Sequence, residues 1–169
     1  MFRLWPSSTI RFTIEKADRS DLQQCADIHA TSFSRGWGDG ELGAMLANKN
    51  TYCLVAKSER GKHEVLGFMI YSISAKEAEI LTIATLPKTR KSGIGAGLLE
   101  EMIRRCLADR LDEIFLEVEA VNKVALQLYK KHGFVKVGER KGYYQTPQTN
   151  SANEQGDGDA LIMRLDLLD

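Results

Sequence analysis

The run Arg90-Lys91-Ser92-Gly93-Ile94-Gly95-Ala96-Gly97 carries the clearest chemical signal in the chain. Three glycines at alternate positions let a backbone turn tightly and approach a ligand closely. The run follows a strand-like segment and opens a helical pattern. Its N–H groups therefore fall in a first helical turn, where they lack intrahelical partners and sit at the positive end of the dipole. That arrangement binds phosphate groups, and Arg90 and Lys91 add positive charge beside it. A dinucleotide fingerprint does not fit, because Leu98 stands where its third glycine belongs, and no Gly-Lys-Ser/Thr follows as in a triphosphate loop. The plain alternative is a glycine-rich helix start that binds nothing. Each helical glycine costs about 0.5–1 kcal/mol, so three of them beside two cations favour a pyrophosphate ligand.

Acid–base candidates lie further along. In Glu113 to Ala120 the alternation puts Phe115, Glu117 and Glu119 on one face. Two carboxylates at i and i+2 lie about 7 Å apart, and close like charges raise a carboxylate pKa, which suits a base. A solvent-facing acidic strand explains the same pattern equally well. Tyr129 shares a helix face with Ala125 and Asn122. A phenol of pKa about 10 can protonate a thiolate, although an aromatic core residue is the common fate of such a tyrosine. Asn122 is of the type that caps a helix.

These residues need a scaffold. Strands are predicted over Ile10–Ala17, Thr51–Lys57, Val65–Ile73, Ala78–Thr85, Glu113–Ala120, Phe134–Tyr144 and Asp159–Leu167, from alternation and β-branched content. Helices are predicted from Ser20 or Asp21 to Ser32, over Glu41–Ala47, over Gly93–Ala108 and from an Asn122 cap to His132, where Gly133 ends the last. Strands and helices interleaved in this way make an α+β sheet with helices on its faces. Residues 1–9 read as an N-terminal extension. The polar stretch 145–158 reads as a flexible loop.

The 169 residues fit one domain spanning 1–169. The 23 basic and 23 acidic residues cancel, which gives no basic footprint for nucleic acid. No apolar run approaches a membrane span and the N-terminus lacks a signal-peptide pattern, so the expected compartment is the cytoplasm. Cys25, Cys53 and Cys106 have neither metal-ligand nor disulfide spacing and are expected as buried thiols. His29, His63 and His132 are dispersed, and no metal site is expected. Trp37, in a glycine-rich loop, either walls a groove or anchors the loop.

Arg90-x-x-Gly93-x-Gly95, after Leu81-Thr82-Ile83-Ala84 and before Leu98-Leu99, resembles the acetyl-CoA motif of the GNAT superfamily. Leu116-Glu117-Val118, Asn122, Ala125 to Tyr129, Gly133-Phe134, Tyr143-Tyr144 and Asp159 to Met163 resemble the RimI-type N-terminal acetyltransferases of bacterial ribosomal proteins. The likeness covers most of residues 10 to 167. It implies the GNAT fold, with a central mixed, mostly antiparallel seven-stranded sheet and about four helices. It implies acetyl-CoA as cosubstrate, bound by Ile83, Ala84, Thr85, Arg90, Lys91, Ser92, Gly93, Ile94, Gly95, Ala96 and Asn122. Pantetheine would insert where the strand at Ile83 splays from its neighbour, with an oxyanion donor from a backbone N–H near Ile83. Glu117 would be the base, Tyr129 the acid, and Trp37, Glu119, Tyr143 and Tyr144 would border the acceptor. The implied partner is the N-terminal alanine of a ribosomal protein, acetylated by direct attack in a ternary complex. Two departures stand out. Glu119 replaces the usual arginine, and the 145–158 loop is long for the type. A small amine, a lysine side chain or a non-catalytic acetyl-CoA-binding role are the alternatives.

Overall fold

The computed structural model describes residues 9–33, 36–61, 63–142 and 158–168. Regular alternation sets the strands flanking the glycine run. Ala78, Ile80, Thr82 and Ala84 are buried along one face of one strand, and Ile114, Leu116 and Val118 along one face of the next. The element order is β1 (Phe12–Lys16), α1 (Leu22–Ser32), α2 (Asp39–Leu46), β2 (Thr51–Ser58), β3 (Val65–Ser74), β4 (Glu77–Thr85), α3 (Ile94–Ala108), β5 (Glu113–Glu119), α4 (Lys123–Lys131), β6 (Val135–Arg140) and β7 (Ala160–Asp166). The strands form one seven-stranded sheet in the order β1-β2-β3-β4-β5-β7-β6. Pairing is antiparallel for β1–β2, β5–β7 and β6–β7, and parallel for β4–β5. The β4–β5 register runs from Glu77–Glu113 to Ile80–Leu116.

Several boundaries differ from the sequence pattern. Two short 3₁₀ turns, Arg19–Asp21 and Pro87–Thr89, precede α1 and α3. Asp21 is the N-cap of α1, as expected, though without a side-chain cap bond, while Asp18 caps the 3₁₀ turn, accepting from Ser20 N–H as Asp21 accepts from Asp18 N–H. α2 starts at Asp39 because the Glu41 carboxylate accepts the Gly38 N–H at 3.0 Å, a pull that apolar periodicity cannot register. The strand expected over Phe134–Tyr144 ends at Arg140. Residues 1–8 of the expected extension, Tyr143, Tyr144 and residues 145–157 of the expected loop lie outside the described residues.

The chain divides into two compact units. One comprises the chain through Ile70 with Thr82–Ile103, the other Tyr71–Leu81 with the chain from Arg104. In the first, α1 buries Cys25, Ala26, Ile28 and His29, and Cys53 to Lys57 of β2 and Val65 to Ile70 of β3 are buried on both faces. α3 approaches β1 so closely that a Cβ on Gly97 would lie 3.0 Å from Ile14 and 3.1 Å from Phe12. In the second, α4 buries Tyr129 and ends at Gly133, whose φ of +91° is the left-handed conformation that favours glycine.

A buried cation fastens the first unit. Lys57 Nζ of β2 lies 2.7 Å from Glu15 of β1, 3.0 Å from Asp21 and 3.7 Å from Asp18. Burial alone would lower the lysine pKa, but the hydrogen bonds to Glu15 and Asp21 outweigh it and hold the group above the ordinary lysine value. Asp21 is only 1% exposed, so removing Lys57 strands a buried carboxylate. Lys57→Met is expected to lower the unfolding free energy by about 3 kcal/mol in urea denaturation.

Candidate active site

The cradle is built in the first unit, from β3 upward. A Cβ on Gly67 would meet Ile94 Cγ2 at 2.9 Å and the Ala84 carbonyl oxygen at 3.0 Å. Glycine there lets the start of α3 settle against β3 and the end of β4. The connecting loop is tied down by Leu86 N–H donating to Leu66 C=O at 2.8 Å and by the buried Thr89 hydroxyl donating to Leu86 C=O at 2.9 Å. Lys91 (φ 64°) and Gly93 (φ 81°) then take left-handed conformations that turn the chain into the helix. Gly97 N–H donates to Gly93 C=O at 2.9 Å and closes the first helical ring. The N–H groups of Ile94, Gly95 and Ala96 precede it and have no intrahelical acceptor.

Ile94 is buried and pins the turn, Ser92, Gly95 and Ala96 are half-buried, and Arg90 and Lys91 are exposed. A Cβ on Gly93 would meet nothing within 4 Å, so its glycine answers to backbone conformation and leaves open space over the turn. Three first-turn N–H groups, an open face and two cations fit a pyrophosphate. Ile83 and Thr85 are half-buried and Ala84 buried at the end of β4. The neighbouring Thr82 Oγ1 is buried with no hydrogen-bond partner among the described residues. Gly67 and Thr89 escaped the sequence reading, since neither belongs to the glycine run.

The second unit holds the acid–base candidates. Glu117 lies on β5 with 25% of its side chain exposed, and its Oε1 is 3.1 Å from Arg140 of β6. The sequence set Glu117 against Glu119; the structure sets it against a cation. Glu119 is exposed. Tyr129 is 4% exposed and packs on Phe134 with ring centroids 5.8 Å apart. Burial pushes its phenol pKa up to about 12. Asn122 caps α4, its Oδ1 accepting the Ala125 N–H at 3.1 Å. Arg140 lay outside the expected site because nothing in the sequence gives the pairing of β6.

In the first unit, Trp37 anchors its own loop. Its N–H donates to His29 Nδ1 at 3.0 Å, and its ring stacks on the imidazole at 4.2 Å. Phe33 stacks against the same imidazole at 4.4 Å. Burial pulls the His29 pKa down, with Glu41 opposing. The three cysteines are free and buried. A cleft of about 780 Å³, lined in part by Lys16, Leu22, Asp39 and Tyr52, opens where β1 ends and β2 begins. The register Lys16–Leu54 and the Leu86–Leu66 bond put it at the opposite strand ends from the cradle, away from the chemistry. Among the described residues, no group of ligating side chains could hold a metal, and no helix is long and apolar enough to cross a membrane.

Residues 22–134 match the model of the acetyltransferase (GNAT) family, a stretch that takes in parts of both units. The chain belongs to this family. Escherichia coli K12 [ribosomal protein bS18]-alanine N-acetyltransferase is 28% identical over 153 residues, covering 90% of this chain and 96% of that protein. The N-alpha-acetyltransferase RimI of Mycobacterium tuberculosis is 31% identical over 139 residues, covering 79% and 84%. The crystal structure of the Escherichia coli ribosomal-protein-S18-alanine N-acetyltransferase superposes with a TM-score of 0.79 at 25% identity, covering 92% and 94%. The GNAT chain is thus similar to N-terminal acetyltransferases over nearly its full length, and its cradle occupies the motif that the sequence resemblance singled out.

Two measurements probe these elements. Gly93→Ala places an L side chain at a left-handed φ, so a loss of stability of about 1–2 kcal/mol is expected. Its Cβ points into open space, so acetyl-CoA affinity by calorimetry should fall by more than that strain alone implies. For His29, the unfolded chain takes up a proton as pH drops below about 6.5, while the folded site resists, so stability falls with acidification through that window. His29→Phe should flatten that slope in denaturation curves recorded across the window.

Proposed function

We propose that the chain transfers the acetyl group of acetyl-CoA to the N-terminal amine of a protein, with the alanine of a ribosomal protein as acceptor. The observation that carries the chemistry is a buried phenol, Tyr129, in the same compact unit as a carboxylate held by an arginine, Glu117. The acceptor class is supported by the relatives, named for that reaction and similar over most of their length. The whole chain serves as one acetyltransferase domain.

When bound, acetyl-CoA supplies an acetyl group activated as a thioester. The first-turn N–H groups of Ile94, Gly95 and Ala96, with Arg90, Lys91 and Ser92, hold its pyrophosphate. Ile83, Ala84 and Thr85 offer strand backbone to the pantetheine arm, and an N–H near Ile83 stabilises charge on the carbonyl oxygen. Asn122, besides capping α4, adds a polar contact at the cofactor. Glu117 takes a proton from the acceptor ammonium, and the amine nitrogen bonds to the acetyl carbon as the carbon–sulfur bond breaks. Tyr129 Oη protonates the departing sulfur, and the new amide nitrogen gives up its second proton to the phenolate this leaves, which restores Tyr129 and yields the neutral amide. No cysteine is called upon, and the three thiols are buried away from exchange. Glu119, two residues beyond Glu117 on the same face of β5, borders the acceptor in this reading.

The test is mass spectrometry of N-terminal peptides, alanine-starting ribosomal sequences among them, incubated with enzyme and acetyl-CoA. A gain of one acetyl group at the α-amine is expected; acetylation confined to lysine side chains or small amines overturns the acceptor. Tyr129→Phe and Glu117→Gln are each expected to lower kcat by about 10²–10⁴-fold with an unchanged melting temperature. Undiminished turnover in either variant removes that residue from the mechanism.

A further inference from the structure

We infer that Arg140 is a positioning residue for the Glu117 carboxylate, brought onto its face of the sheet by the bulge in β6. The inference rests on the reading of Glu117 as the base.

The register shows how the two residues meet. β7 lies between β5 and β6. On one side of β7, Glu117 opposes Ile162 and Glu119 opposes Ala160. On the other side, Lys136 opposes Met163, and after an irregularity Gly138 opposes Ile162 and Arg140 opposes Ala160. Directly opposed residues share a face, so Gly138 and Arg140 fall on the face that carries Glu117 and Glu119. The residue skipped is Val137. With unbroken pairing, Glu139 would take the place opposite Ala160 and set a third carboxylate on that face. Bulges re-aim side chains in this manner, and here the bulge exchanges an anion for a cation.

On β7, between the two residues, Ala160 leaves the row of Arg140 open while Ile162 fills the row of Glu117. Two strand spacings separate β6 from β5, about 9.5 Å, so the arginine must reach across β7. Ala160 stands in the row it crosses. Gly138 stands in the row of Glu117, where a Cβ would already lie 3.3 Å from Ile162 Cδ1. The Arg140 guanidinium reaches Glu117 Oε1 at 3.1 Å.

Stability does not explain the contact. Arg140 is 52% exposed and Glu117 25%, and ion pairs of that exposure contribute about 0–1 kcal/mol. Orientation does explain it. A carboxylate accepts at two oxygens, and a planar donor fixing one of them sets the direction of the other. A base aimed at its proton gains more than a freely rotating one. Lysine keeps the charge at this position but loses the planar fork.

The experiment is a double-mutant cycle read by steady-state kinetics, with acetyl-CoA and the peptide acceptor of highest turnover. Arg140→Gln is expected to lower kcat about tenfold, and to add less than about twofold in a Glu117→Gln background. The KM for acetyl-CoA should stay within about twofold, and Arg140→Lys should recover part of kcat. Equal losses in both backgrounds, a loss confined to KM, or no loss at all with Glu117→Gln still impaired, overturns the role of Arg140 and leaves Glu117 as base intact. Full activity of Glu117→Gln instead overturns the base, and the positioning role with it. Thermal unfolding of all four variants separates misfolding from these outcomes, since the pair is too exposed for its loss to unfold the chain.

Discussion

The backbone N–H groups at the start of α3 must remain without a protein partner while the chain around them stays fixed. Much of the first unit follows from that requirement. An unpaired helix end is costly when buried and useful when it faces an anion. The turn is held from beneath by Gly67, the Leu66–Leu86 bond and the Thr89 hydroxyl. It is left open above Gly93. Rigidity below and space above are supplied by different residues, so the glycines of the region are not interchangeable. Gly67 and Gly97 answer to close packing, and Gly93 answers to φ.

The acid–base candidates of the second unit sit in contrasting environments. Burial raises the pKa of the Tyr129 phenol still further above neutral pH. Glu117 sits near the surface and meets a guanidinium. The cap from Asn122 ends the crossover after β5 and starts the helix that carries Tyr129, so carboxylate and phenol are spaced by one short connection. A chain of fixed length with a stiff helix gives little freedom to either.

Much of the scaffold was legible because it rests on local rules. The α3 stripe, the Asn122 cap and the alternation of β4 and β5 are visible in spacing alone. The limits of that legibility are equally physical. The start of α2 depended on one carboxylate–backbone bond from Glu41. Gly67 reads as an ordinary strand glycine until α3 is laid against it. Arg140 could not be matched to Glu117, because the pairing partner of β6 arrives from the far side of a long polar segment and its register slips by one residue at Val137. His29 looked like a dispersed histidine, yet two aromatic rings and the Trp37 N–H close around it. In each case the missing information was a contact between residues distant in sequence, or a phase change inside a strand.

The place of β7 also bears on how the chain is made. It is the last of the described strands to leave the ribosome, yet it supplies the hydrogen-bonding partner of both β5 and β6. Until then the inner edges of both strands face water with unpaired N–H and C=O groups, the condition that invites wrong pairing. The first unit can close on itself during synthesis, because β1 and β2 and the Lys57 ion pairs are complete early. The sheet around Glu117 must wait for the final strand. The turn at the start of α3 is thus assembled before the Glu117 carboxylate has its neighbours, and a nascent chain ending before Ala160 would carry the first without the second.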